Sequence, residues 1–89
     1  MFFENVRVII RTNVPGGDEM KKQLYDTMQM GESFTIIYRS QKNIFSKRKI
    51  KIIGMKEDYV VAYCFVRQAI RTFYIGNILA IEKMEVYIR

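Results

Sequence analysis

Tyr59-Val60-Val61-Ala62-Tyr63-Cys64-Phe65-Val66-Arg67-Gln68-Ala69-Ile70-Arg71-Thr72-Phe73-Tyr74-Ile75-Gly76-Asn77-Ile78 is the stretch on which the fold turns. Side chains alternate along a strand, so Val60, Ala62, Cys64 and Val66 share one face and Tyr59, Val61, Tyr63 and Phe65 the other. The first face is small and suits a crowded core. The second is aromatic, either packed under another element or left open as a stacking platform. Arg67-Gln68-Ala69 interrupts the run, Ile70 to Ile75 resumes it, and Gly76-Asn77 bends the chain into a last strand within Ile78 to Ile88.

Upstream, the same period of two places Phe34, Ile36 and Tyr38 on one face of a strand ending at Ser40. Gln41 to Ser46 reads as a hairpin loop. The return strand, Lys47 to Ile53, carries Lys47, Lys49 and Lys51 on one face and Arg48, Ile50 and Ile52 on the other, before Gly54 to Asp58 turns the chain. Val6 to Thr12 is β-branched and reads as a strand, ended by the turn-rich Asn13-Val14-Pro15-Gly16-Gly17. Asp18 offers an N-cap; Met20, Leu24 and Met28 then fall four apart on one helical face, and Gly31 offers a stop. This succession predicts a mainly β (α+β) domain: a small, strongly bent, Sm-like β-barrel of about five strands, with one amphipathic helix and an extra N-terminal strand. Residues 1–89 form a single domain on this reading, divided into strand and turn (1–17), helix (18–31) and barrel (34–88). Internal repeats and low-complexity segments are absent from the sequence.

With 89 residues and 49% hydrophobic content the chain is short for its apolar load, which makes homodimerisation a reasonable way to bury the excess. One cysteine, Cys64, cannot form an internal disulfide, and Met1-Phe2-Phe3-Glu4 lacks the basic start and apolar region of a signal peptide. No apolar run approaches the roughly 18 residues that span a bilayer. These features predict a cytoplasmic protein without a membrane segment. The net charge of +6 is unevenly placed. Between Glu32 and Glu57 there is no acid, and that interval holds Arg39, Lys42, Lys47, Arg48, Lys49, Lys51 and Lys56. From Tyr59 to Ile81 acids are again missing while Arg67 and Arg71 are added.

Gly31-Glu32 leads into Phe34-Thr35-Ile36-Ile37-Tyr38-Arg39-Ser40; later come Asp58-Tyr59-Val60, Ala62-Tyr63-Cys64, Arg67 at a turn and Arg71-Thr72-Phe73. In these features the chain from about Met28 to Met84 resembles the WYL domain, a small β-barrel named for its Trp-Tyr-Leu run. The first segment is similar to that family's first barrel strand with its Tyr-Arg-Ser ending, and the later ones to its naming tripeptide, its Gly-Tyr-Cys, its basic turn and its Arg-Thr-Phe. Asp58 stands in place of the tryptophan and Asn77 in place of the second arginine of the terminal Arg-Ile, and the strand from Lys47 to Gly54 lacks the family's proline. The resemblance implies a barrel that serves as a sensor or effector of an anionic ligand, commonly joined to a DNA-reading helix-turn-helix. The 27 residues before Met28 read as one strand and most of one helix, too few for such a reader, so a stand-alone barrel is expected.

Two basic groups are candidate sites. Arg71 shares a face with Phe73 and Ile75, and with Arg67 it either holds a bound anion or pairs with Glu32, Glu57, Asp58 or a loop carbonyl. Lys47, Lys49 and Lys51, with Arg39 nearby, either neutralise phosphates beside stacking tyrosines such as Tyr63 or simply guard an edge strand. Catalysis has no basis: histidine is absent, no Ser or Thr has a base partner, and burial in an apolar run is expected to raise the Cys64 pKa. One Cys, no His and scattered acids do not supply a metal site, and no cofactor is expected. The expectation is a non-enzymatic regulatory module that binds single-stranded DNA or RNA, or a nucleotide-like anion, through Arg39, Lys47, Lys49, Lys51, Tyr63, Arg67 and Arg71. The alternative is a small homodimeric adaptor that works by protein contact.

Overall fold

Six antiparallel strands and one helix follow one another as β1 (Val6–Asn13), α1 (Gly17–Met30), β2 (Ser33–Arg39), β3 (Phe45–Met55), β4 (Tyr59–Cys64), β5 (Ala69–Tyr74) and β6 (Ile78–Ile88). A single 3-10 turn, Ile75–Asn77, joins β5 to β6. The structure is a computed structural model; it describes residues 6–88, with side chains for 12–83, so Met1-Phe2-Phe3-Glu4 lies outside it.

Local chemistry sets the element ends. Gly31 closes α1 in the left-handed region (φ 68°), and its N–H reaches the Met28 and Thr27 carbonyls; a side chain at that φ is disfavoured, which is why glycine serves. The start departs from the expected Asp18 cap. Gly16 is the cap residue, extended at φ −79°, and its carbonyl takes the Met20 N–H at 2.9 Å. Asp18 and Glu19 sit instead in the first turn, where their charge complements the helix dipole by about 0.3–1 kcal/mol. Between β2 and β3, the Ser40 hydroxyl accepts the N–H groups of Lys42 and Ile44 at 3.2 Å each, and Asn43 takes φ 63°, a conformation that asparagine tolerates.

The strand order is β1-β6-β2-β3-β4-β5. Strands β2 to β5 form a meander; β6 then returns to the far side of β2, and β1 pairs outside β6. The mainly β, single-helix architecture is as expected; no ladder joins β5 to β6 or β1 among the described residues, so the hydrogen-bonded sheet does not close into a barrel. It is nevertheless curled. Tyr38 of β2 accepts the Tyr74 N–H of β5 at 3.1 Å and packs edge-to-face on Phe73, with ring centroids 5.1 Å apart, although two strands lie between them in the ladder. A bulge between Ile52 and Gly54 adds to the bend.

The core lies inside the curl. Met20 and Leu24 from α1 meet Phe34, Ile36, Ile50, Ile52, Val60, Ala62, Cys64, Phe73, Ile75, Ile78 and Ile81. Thr27 is buried too, its hydroxyl donating to the Gln23 carbonyl at 2.9 Å. The helix packs chiefly on β3 and the 3-10 turn; the small face of β4 turns into the same core, while on its aromatic face Tyr59 and Tyr63 are half-buried and Phe65 is exposed. β4 ends at Cys64 instead of running to Val66, which turns outward into solvent. Past Glu82, β6 pairs with β1 alone among the described residues, and the molecule measures 46 × 26 × 23 Å. The radius of gyration is 14.2 Å, against about 12 Å for a compact chain of this length. No helix among the described residues is long and apolar enough to cross a membrane.

Candidate nucleic-acid interface

Alternation in β3 leaves Lys47, Lys49 and Lys51 exposed on the face away from α1, about 6.7 Å from one to the next. The next strand, β4, runs its aromatic residues along the same face. Register places Lys51 opposite Tyr63, and Tyr63 in turn opposite Ile70 of β5. The Phe65 N–H continues the pairing by donating to the Lys49 carbonyl at 3.0 Å. Lys49 Nζ consequently lies 5.5 Å from the Phe65 ring centroid, and Phe65 meets Tyr63 edge-on at 5.1 Å. Tyr59 and Tyr74, paired in register at 6.2 Å, extend the aromatic row. A row of cations thus runs beside a row of rings on neighbouring strands, about 4.8 Å apart.

The seven expected site residues separate under this geometry. Lys47, Lys49, Lys51 and Tyr63 come together. Lys47 gives part of its charge to Glu82, with Nζ to Oε1 at 3.0 Å, whereas Lys49 and Lys51 have no ion pair with a described side chain. Arg39 falls on the same face at the end of the row, opposite Phe45, but its guanidinium donates to Asn77 Oδ1 at 3.3 Å. Arg67 is exposed in the turn after β4. Arg71 pairs in register with buried Ala62 and so belongs to the other face of the sheet, at its open edge. There it is exposed and makes no ion pair with Glu32, Glu57 or Asp58. The Arg67/Arg71 pair is not one site with the lysine row. Phe65 and Tyr74 complete that row, yet only the β3–β4 and β4–β5 registers bring them to it.

Cys64 reverses its expected shift. Burial pushes the thiol up, but the N–H groups of Arg67 and Val66 and the nearby Arg48 guanidinium outweigh it, and the pKa falls below its ordinary value. Arg48, half-buried on the inner face, also donates through Nε to Ser46 Oγ at 3.2 Å.

A shallow depression of about 370 Å³, lined by Ser33, Thr35, Lys49 and Glu82 among others, adjoins the lysine row. The larger cleft, about 630 Å³, lies elsewhere, between the start of α1, the β3–β4 turn and the 3-10 turn. Asp18, Glu57 and Asp58 line it and Lys21 pairs with Glu57 at 3.5 Å, so its charge repels phosphate. Among the described residues no group of three or more Cys, Asp or Glu is placed to hold a metal ion. Compared with known proteins, the chain matches no family model, no curated protein and no solved structure.

Proposed function

We propose that this protein is a non-enzymatic regulatory module that binds single-stranded nucleic acid across the outer face of β3 and β4. The observation that carries the reading is the Lys49–Phe65–Tyr63 contact set beside Lys51: cations and rings in adjacent rows, with Lys49, Lys51 and Phe65 exposed and Tyr63 half-buried. Lysines 47, 49 and 51 neutralise phosphates of an extended strand, and Tyr63 and Phe65 stack on its unpaired bases, which favours single strands with little sequence choice. A duplex keeps its bases stacked inside and gains nothing from the rings. The same curled sheet, with a helix before β2 and a one-turn return from β5 to β6, supports a WYL-like, Sm-like barrel as the finer description of the fold. On that description, Arg67, in the turn after β4, and Arg71, on the sheet's other face, serve a separate nucleotide-like anion.

Fluorescence anisotropy with labelled oligonucleotides at about 50 mM salt tests the proposal. Binding is expected to prefer single strands, to weaken with salt, and to lose about 0.7 in the log–log salt slope for each phosphate contact removed by Lys49→Ala or Lys51→Ala. No detectable binding at that salt, or a slope unmoved by both changes, sinks it. A second reading, a protein-contact adaptor, draws on the exposed Val66 and Ile70 (67% and 62%), in the turn before β5 and on that edge strand. Under it Ile70→Lys abolishes partner capture, and no oligonucleotide binds.

A further inference from the structure

Strands β2 to β5 contain no acidic residue. β6 brings one to them: Glu82 stands opposite Thr35 of β2, which in turn stands opposite Lys49 of β3, and directly opposed residues share a face. Glu82 therefore lies on the lysine face, two strand spacings or about 10 Å of backbone from β3. Its side chain closes the gap, with Oε1 3.0 Å from Lys47 Nζ, and it lines the shallow depression together with Lys49, Ser33 and Thr35. The two partners are unequally wet: the Lys47 side chain is 66% exposed and that of Glu82 14%. A pair with one end in solvent adds little to stability, so holding the fold does not account for an acid there. A charge withdrawn from water is screened less by salt than a surface one, and its reach is longer.

We propose that Glu82 is a specificity-determining residue of this face, an inference that rests on the nucleic-acid reading above: it restrains binding that depends on charge alone and spares binding that depends on the rings. Two effects act together. Lys47 meets a phosphate only by giving up a carboxylate, so the cation that the nucleic acid releases is offset by one that Glu82 takes up, and the exchange gains no net counterion release. Lys49 and Lys51, which have no ion pair with a described side chain, keep the full gain. The second effect is repulsion. A duplex carries about twice the charge per unit length of a single strand, so a fixed carboxylate beside the row opposes it more strongly. A single strand recovers the loss by stacking on Tyr63 and Phe65; a duplex, with its bases inside, does not. Unfavourable charge placed against the wrong ligand is a general route to discrimination.

Anisotropy titrations with one oligonucleotide, single-stranded and as its duplex, from about 50 to about 200 mM salt compare the wild type with Glu82→Gln and with Asp26→Asn, an equal change of net charge at an exposed position of α1. Glu82→Gln is expected to steepen the single-strand salt slope by about 0.7, the value of one phosphate contact. It is also expected to raise duplex affinity more than single-strand affinity, narrowing the preference. Asp26→Asn is expected to do neither. Adding Lys47→Ala to Glu82→Gln is expected to return the slope to its wild-type value, and Glu82→Thr, a strand-forming residue opposite Thr35, to repeat the effect of Glu82→Gln. If the wild type binds single strands but both Glu82 variants move slope and preference no more than Asp26→Asn does, Glu82 has no such role and the nucleic-acid reading stands. A steeper slope that survives Lys47→Ala also overturns the proposal. If neither the wild type nor any variant binds an oligonucleotide, the reading of the face and this inference fall together.

Discussion

Arg71 and Lys49 belong to the same acid-poor half of the sequence, but the sheet places them on opposite faces, and that difference has measurable consequences. Arg71 is an exposed residue of an edge strand with no carboxylate in reach, so Arg71→Ala is expected to change stability by no more than about 0.5 kcal/mol. Its effect on oligonucleotide affinity is expected to be smaller than that of Lys49→Ala; thermal melts and anisotropy titrations of the two variants check both statements. Cys64 gives a pH-dependent prediction. Its folded pKa lies below the ordinary thiol value of 9.0, so the folded protein releases the proton at a lower pH than the unfolded chain does. The stability this group contributes is lost as pH falls through the folded value and is complete above the unfolded one. The difference in melting temperature between wild type and Cys64→Ala is therefore expected to widen from about pH 7 to about pH 9. A constant difference overturns the assignment. Apolar neighbours in the sequence point to a raised pKa; the donors that lower it come from the turn backbone and from Arg48 across the β3–β4 pair, and neither proximity is visible in a linear pattern.

Helix α1 is held by two features of different kind. Leu24 is fully buried against the sheet, and Leu24→Ala is expected to cost about 2–5 kcal/mol through lost transfer energy and the cavity left behind. Gly31 costs nothing in packing, since a Cβ there meets no atom within 4 Å, but its φ of 68° is the left-handed one. Gly31→Ala is expected to cost about 1 kcal/mol from backbone strain alone, and Gly31→Asn less. Urea midpoints at unchanged m-value measure all three. The helix stop, the β2–β3 hairpin and the lysine alternation were legible in the sequence because period and turn chemistry are local. Which face of β4 turns inward was not: alternation sorts Tyr59, Tyr63 and Phe65 from Val60, Ala62 and Cys64 without stating which set is buried. Packing decides: Val60, Ala62 and Cys64 join the core cluster that β3, the 3-10 turn and α1 complete.

At the scale of the whole chain, the number of strands and the single helix follow from the sequence, but the route of β6 does not. Nothing in Ile78 to Ile88 announces that it pairs with β2 on one side and β1 on the other, because register depends on partners far away in the chain. The described core is drawn from α1, β2 to β5, the 3-10 turn and the first residues of β6, and no described residue of β1 belongs to it. Removing residues 1–13 is accordingly expected to leave a cooperative thermal transition, detectable by near-ultraviolet dichroism, while removing residues 78–88, which include buried Ile78, Ala80 and Ile81, abolishes it. The return of β6 also sets a timetable. While the protein is being synthesised, helix and meander can assemble as they leave the ribosome, yet β2 holds an unpaired edge until the last strand emerges. During that interval the nascent chain presents a strand edge open to mispairing with its neighbours on a polysome.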